Sequence, residues 1–150
     1  MSLAVHELYQ RLLRQHHRND ELREHTQQYI NRLLQEKQER RALALQREAL
    51  DNDPAFTPLL SEQATLLAER AKMAGQFQLA TDGLLAAIAG WPRDPMLPSW
   101  SLDAGLMLAE RFGRDEQARA ILQNASAHCE DAAQRAKLDA ALRAVAIQPV

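Results

Sequence analysis

One interval constrains this chain more than any other feature: a helical pattern returns every 38 residues. Ala42, Ala80 and Ala118 fall in register, and so do Ala49, Ala87 and Ala125. Gly75 pairs with Gly113, Leu84 with Leu122, and Asp53–Pro54 with Trp91–Pro92. Ala4 stands one period before Ala42. The alanines recur seven apart, which is two turns along one helical face. Two antiparallel helices approach closely only where small residues face each other. A glycine then makes the reversal, and a proline ends the pair. A pair of this kind buries its apolar face only by stacking on the next.

The apolar spacing predicts eight helices and no strand, an all-α chain. The first covers residues 3–17, with Val5, Leu8, Tyr9, Leu12 and Leu13 on one helical face. The second covers about 20–35, capped by Asn19 or Asp20. A third follows to Leu50 and stops at Pro54, which removes a donor and disfavours helix before it. The fourth runs from Ser61, its expected cap, to about Ala74. Gly75 then supplies the left-handed residue that a helix end requires. The fifth covers 77–90. Pro92, Pro95 and Pro98 are expected to hold the chain extended until a sixth helix begins near Ser99 or Ser101 and ends at Phe112. Asp115 is expected to cap the seventh, and the eighth covers about 131–147. The abundance of Ala, Leu, Gln, Glu and Arg, with only 5% aromatic residues, agrees with helix rather than strand.

These residues resemble the tetratricopeptide repeat family, whose unit is a helix pair with small inner contacts and a proline after the second helix. Glu21–Pro54 has the family's 34-residue length and matches at Ala42, Ala49 and Pro54. The copy ending at Pro92 matches at Leu67, Ala68, Gly75, Ala80, Ala87 and Pro92. The copy ending near Glu130 matches at Gly113, Ala118, Leu122 and Ala125. The first copy lacks a turn glycine and carries Gln46 at an apolar place. The third lacks the closing proline and reverses the large-then-small order at Gly105–Leu106. The resemblance implies a single domain over 1–150: an N-terminal helix (1–19), repeats at 20–54, 58–92 and 96–130, and a capping helix (131–150). It implies a solenoid of antiparallel hairpins that binds a peptide or helix of another protein in a concave groove, without chemistry. Some bacterial secretion chaperones with three such repeats are similar in length.

In such a solenoid the first helix of each pair lines the groove. Helical spacing then places Gln27, Asn31, Leu34, Thr65, Glu69, Lys72, Met73, Trp100, Asp103, Met107 and Arg111 on that wall. Met73, Trp100 and Met107 suit a peptide groove, because a thioether and an indole adapt to apolar side chains. Trp100 and Met107 are equally open to packing against a neighbouring helix. The family's carboxylate-clamp places fall on Gln27, Asn31, Leu66, Trp100 and Ala104; only Asn31 matches, so capture of chaperone tails is not expected.

Other constellations are bland. His16, His17 and His25 read as solvated turn histidines, and adjacent histidines on a helix point about 100° apart. His128 beside Cys129 faces away from it on a helix, so no thiol–imidazole pair is expected. Arg11, Arg14 and Arg18 form a small basic patch ringed by Glu7, Asp20, Glu21 and Glu24. With 18 Lys+Arg against 20 Asp+Glu, nothing draws the chain to nucleic acid or an acidic membrane. The longest apolar run, Leu84–Trp91, is far short of the roughly 20 residues that span a bilayer. No signal peptide, metal, cofactor or catalytic set is expected. The single cysteine points to a reducing, cytoplasmic setting.

The expectation is therefore a protein-interaction scaffold, with a second copy of the chain among the candidate partners because the apolar first helix is able to dock on a neighbour. The alternatives are a regulatory or oligomerisation domain of a larger, membrane-anchored protein, or an RNA- or phosphate-binding helical protein.

Overall fold

The computed structural model describes residues 2–15 and 19–147. Among the described residues the protein is all-α. Its helices are α1 (Leu3–Gln15), α2 (Asn19–Gln35), α3 (Glu39–Asn52), α4 (Ser61–Met73), α5 (Phe77–Gly90), α6 (Leu97–Glu110), α7 (Asp115–His128) and α8 (Ala132–Ile147). His16, His17 and Arg18 lie outside the described residues, as do Met1, Gln148, Pro149 and Val150.

The 38-residue period reappears as backbone geometry. Lys37, Gly75 and Gly113, one period apart, have φ of 58°, 74° and 62°. The residues that follow, Gln38, Gln76 and Arg114, have φ/ψ of −95°/65°, −94°/69° and −94°/65°. After α4 the Gly75 amide donates to Lys72 O and the Gln76 amide to Ala71 O. After α2 the Lys37 amide donates to Leu34 O and the Gln38 amide to Leu33 O. Both satisfy the last carbonyls of a helix by crossed bonds around a left-handed residue. The missing glycine of the first copy thus does not change the turn; Lys37 adopts the left-handed conformation in its place. After α6 the loop is one residue wider, and the Arg114 amide reaches Leu108 O.

Each turn folds a helix back on its predecessor: α3 on α2, α5 on α4, α7 on α6. Consecutive pairs join through α5 against α6, while α3 touches α4 and α5 more lightly. The in-register alanines Ala42, Ala80 and Ala118 are buried, as are Leu84 and Leu122. Gln46 stands at the matching place in α3, also buried, with its Oε1 unpartnered. A Cβ on Gly83 would lie 2.7 Å from Gln46 Nε2, so the glycine makes room for the polar chain. Gly105 does the same for Leu122, whose Cγ would be 2.8 Å from an added Cβ. The reversed Gly105–Leu106 order therefore brings α6 and α7 together.

Two cores result. One joins α2 to α6 around Ile30, Leu67, Leu84 and Trp100; the other joins α6, α7 and α8 around Leu108, Leu122 and Leu138. The connector after α3 is part of the first core, with Phe56, Thr57 and Pro58 buried.

Several local expectations are corrected. Leu60 precedes the first residue of α4, Ser61; the Leu60 amide donates to Gln63 Oε1, 3.1 Å away. Asp115 is likewise the first residue of α7 rather than its cap. α6 starts at Leu97, ahead of Ser99, because Pro98 fits a helix's first turn, where its missing amide has no partner to lose. The segment before it is turn, not extended chain. The apolar face of α1 is covered only in part. Leu13 is buried, but Val5, Leu8, Tyr9 and Leu12 are exposed. The helix docks by the opposite face, through Leu3, His6, Gln10 and Leu13.

Candidate functional site

The expected groove residues divide into two groups. Those on α2 and in the N-terminal halves of α4 and α6 are used internally. Gln27 Nε2 donates to Thr57 O at 3.0 Å, fixing the connector. Asn31 Oδ1 accepts from Gln63 Nε2 at 2.8 Å. Thr65 Oγ1 accepts from Trp100 Nε1 at 2.8 Å. Trp100 is 1% exposed and tilts against Trp91, with ring centroids 6.1 Å apart. A buried indole needs a partner for its N–H, and Thr65 supplies it. These groups tie neighbouring hairpins together and leave little for a ligand.

Met107 also belongs to the core, 7% exposed, with Thr81 Oγ1 3.5 Å from its Sδ. Of the two readings that spacing leaves open for Trp100 and Met107, the structure selects packing. The difference between them and Met73 is positional: Met73 ends its helix, whereas Trp100 and Met107 face α4 and α5 from inside theirs.

The second group gathers toward the C-terminal ends of α4 and α6. Met73 is 77% exposed, and Arg70 Nη1 donates to its Sδ at 3.3 Å. Glu69 is exposed. Lys72 Nζ lies 3.2 Å from Asp103 Oδ2, both half-exposed. The Arg111 guanidinium sits 3.4 Å from the centre of the Phe77 ring. Such stacking holds a cation over an aromatic face while its edge stays available for hydrogen bonds. This surface offers a thioether, a carboxylate, an ion pair and a stacked arginine.

A polar cluster that the sequence did not disclose joins α1 to α2. His6 Nδ1 and His25 Nε2 are 2.7 Å apart. Gln10 Nε2 lies 3.0 Å from His25 Nδ1 and donates to Thr26 Oγ1 at 2.7 Å. His6 stacks on Tyr29 at 4.8 Å between ring centroids, and Tyr9 meets His25 edge-on at 4.7 Å. The Tyr29 hydroxyl accepts from Arg41, which also pairs with Glu7. Burial pushes the His25 pKa down to about 4, with the nearby His6 adding to the effect. Burial lowers His6 as well, helped by the charge of Arg32. His25 is thus a buried, neutral histidine and not a solvated one. The available signal was the four-residue spacing of His6 with Gln10 and of His25 with Tyr29. It was outweighed by the stronger apolar stripe on the other side of α1.

Two cavities flank α1. One of about 260 Å³ is lined by Arg14, Arg23, Thr26, Leu45, Asp53 and Phe56 among others. One of about 310 Å³ lies on the Glu7, Tyr29 and Arg41 side. Two of the arginines that line them are paired, Arg14 to Glu48 at 2.8 Å and Arg23 to Asp53 at 3.1 Å. Arg14 of the expected basic patch is therefore neutralised by a neighbour. His128 Nδ1 is 2.8 Å from Asn124 O on its own helix, and Cys129 is buried.

Among the described residues no three His, Cys, Asp or Glu side chains are grouped to hold a metal ion. None of the described helices is long and apolar enough to cross a membrane. No family model, curated protein or solved structure matches this chain.

Proposed function

We propose that the protein is a non-catalytic interaction scaffold, a tetratricopeptide-like solenoid that binds a peptide or helix of another protein. The recurrence of one turn geometry at Lys37, Gly75 and Gly113 carries this reading, because it builds three equivalent helix pairs. An array of equivalent pairs presents an extended surface for binding. The working part of that surface is the end formed by Glu69, Lys72, Met73, Asp103 and Arg111. Gln27, Asn31, Thr65, Trp100 and Met107 hold its shape. Binding there is chaperone-like in kind: an exposed methionine adapts to an apolar anchor, and the charges orient it. The lone, buried Cys129 agrees with a cytoplasmic setting.

The test is capture of binding partners from the cells that make the protein, with the wild type beside Met73→Glu/Arg111→Glu. Both residues are exposed, so the variant keeps the fold. Loss of the same partners from the variant supports the groove. Equal retention by both chains rules it out.

A further inference from the structure

The outer face of α1 is the largest concentration of unburied apolar side chains among the described residues. Seven large hydrophobic residues are exposed among the described residues, and four of them, Val5, Leu8, Tyr9 and Leu12, share one face of this helix. Their offsets of three, four and seven make a continuous stripe. The repeat shows what kind of surface this is. One period later, Val5, Leu8 and Leu12 correspond to Leu43, Gln46 and Leu50, all buried in α3. Two periods later, Val5 and Leu8 correspond to Thr81 and Leu84, buried in α5. In α3 and α5 this face lies against other helices of the array; in α1 it has none.

We infer that a second copy of the chain covers it, α1 packing antiparallel on its partner's α1 about a two-fold axis. This does not rest on the groove reading, since it concerns a different face. Three observations favour this occupant. First, a two-fold contact uses the same patch on both chains, so the patch must complement itself. The stripe does so about a midpoint between Leu8 and Tyr9, where position 5 meets 12 and 8 meets 9. Second, the positions that this register sets opposite Glu7 and Arg11 are Gln10 and His6, both buried in the α1–α2 joint, so no like charges meet. Third, a lipid surface would call for a basic fringe. Beside α1, Arg41 is neutralised by Glu7 and Arg14 by Glu48, which leaves Arg11 as too small a fringe. The His6–His25 lock keeps α1 seated by its polar side and so holds the stripe outward.

One helix pair buries little area, and small interfaces of this class are weak and transient. The association is therefore expected in the micromolar to millimolar range. The experiment is sedimentation equilibrium of the whole chain over that range. Wild type should rise from 16.9 kDa toward twice that mass. Leu8→Glu/Leu12→Glu should stay at the monomer mass, with unchanged circular dichroism. Leu59→Glu/Leu60→Glu, on the other exposed apolar pair, should still dimerise. If the glutamate variant of α1 loses helix, Leu8→Gln/Leu12→Gln replaces it. A wild type that remains monomeric overturns the inference. So does a dimer that survives both α1 variants, which would place the interface elsewhere. A monomer that binds phosphatidylcholine–phosphatidylserine vesicles through Leu8 and Leu12 overturns it in favour of a lipid surface.

Discussion

His6 Nδ1 faces His25 Nε2 across 2.7 Å, and the two rings share one hydrogen bond between α1 and α2. One nitrogen donates and the other accepts, so the contact exists only while the accepting ring is neutral. Adding a proton to it removes the acceptor and sets a charge and a facing N–H in a buried joint.

The joint is therefore expected to loosen in acid. Both histidines have folded pKa values below 6.5, His25 at about 4. The unfolded chain then binds more protons between about pH 6.5 and 4, so stability is lost as pH falls across that window and is constant above it. Arg32 and Arg41 add positive charge nearby, and Glu7 offsets part of it. Hydrogen exchange of the α1 amides should quicken as pH drops from 7 to 4.5, after correction for intrinsic rates. His25→Gln should flatten the profile; an unchanged slope would remove the pair as its cause.

Lys37 holds a left-handed conformation that costs a non-glycine residue roughly 1–2 kcal/mol. Lys37→Gly is expected to stabilise the protein by about 0.5–1 kcal/mol, after the added freedom of the unfolded chain is subtracted. Gly75→Ala and Gly113→Ala should destabilise by about 1 kcal/mol each, although neither added Cβ meets any atom within 4 Å. Urea denaturation of the three variants checks the opposite signs.

Gly105 and Leu122 share one space. Gly105→Ala is expected to cost about 1–3 kcal/mol through overpacking. Leu122→Ala should cost about 2–5 kcal/mol through the cavity it opens. Because the new methyl enters that cavity, the double variant should be more stable than the two losses added together. A double-mutant cycle reads the coupling, and strict additivity would contradict the contact.

Trp100 is held as a structural residue. Trp100→Phe keeps most of the ring but leaves the Thr65 hydroxyl without its donor, a loss of about 1 kcal/mol. Trp100→Ala should cost about 3–5 kcal/mol. Partner binding by Trp100→Phe should match wild type, in contrast to Met73→Glu/Arg111→Glu.

The helices and their turns were legible because each rests on a local rule. The left-handed turns of Gly75 and Gly113 and the small residues Ala42, Ala80 and Ala118 follow from backbone sterics alone. Lys37 escaped notice because its side chain carries no sign of the conformation it adopts. The candidate site was legible only in part. Periodicity places Trp100 and Met73 on the same wall, yet it does not say how far along a helix the neighbours extend to cover each. α1 shows a different limit. A stripe of Val5, Leu8, Tyr9 and Leu12 predicts that the face is covered, and says nothing of whether its own chain does the covering. The compensating His6–Gln10–His25 network forms between residues 15 to 19 apart in sequence, and the four-residue spacing within each helix does not say that the two helices meet there.

α6 contributes Trp100, Ala104 and Met107 to one core, and Leu108 and Ala109 to the other. Under a pulling load at the C-terminus, peeling away α8 and then α7 strips cover from Leu108 and Ala109. Trp100 keeps its cover from the hairpins before it. The molecule should therefore unzip from its last repeat, with α6 as the seam at which the tear pauses.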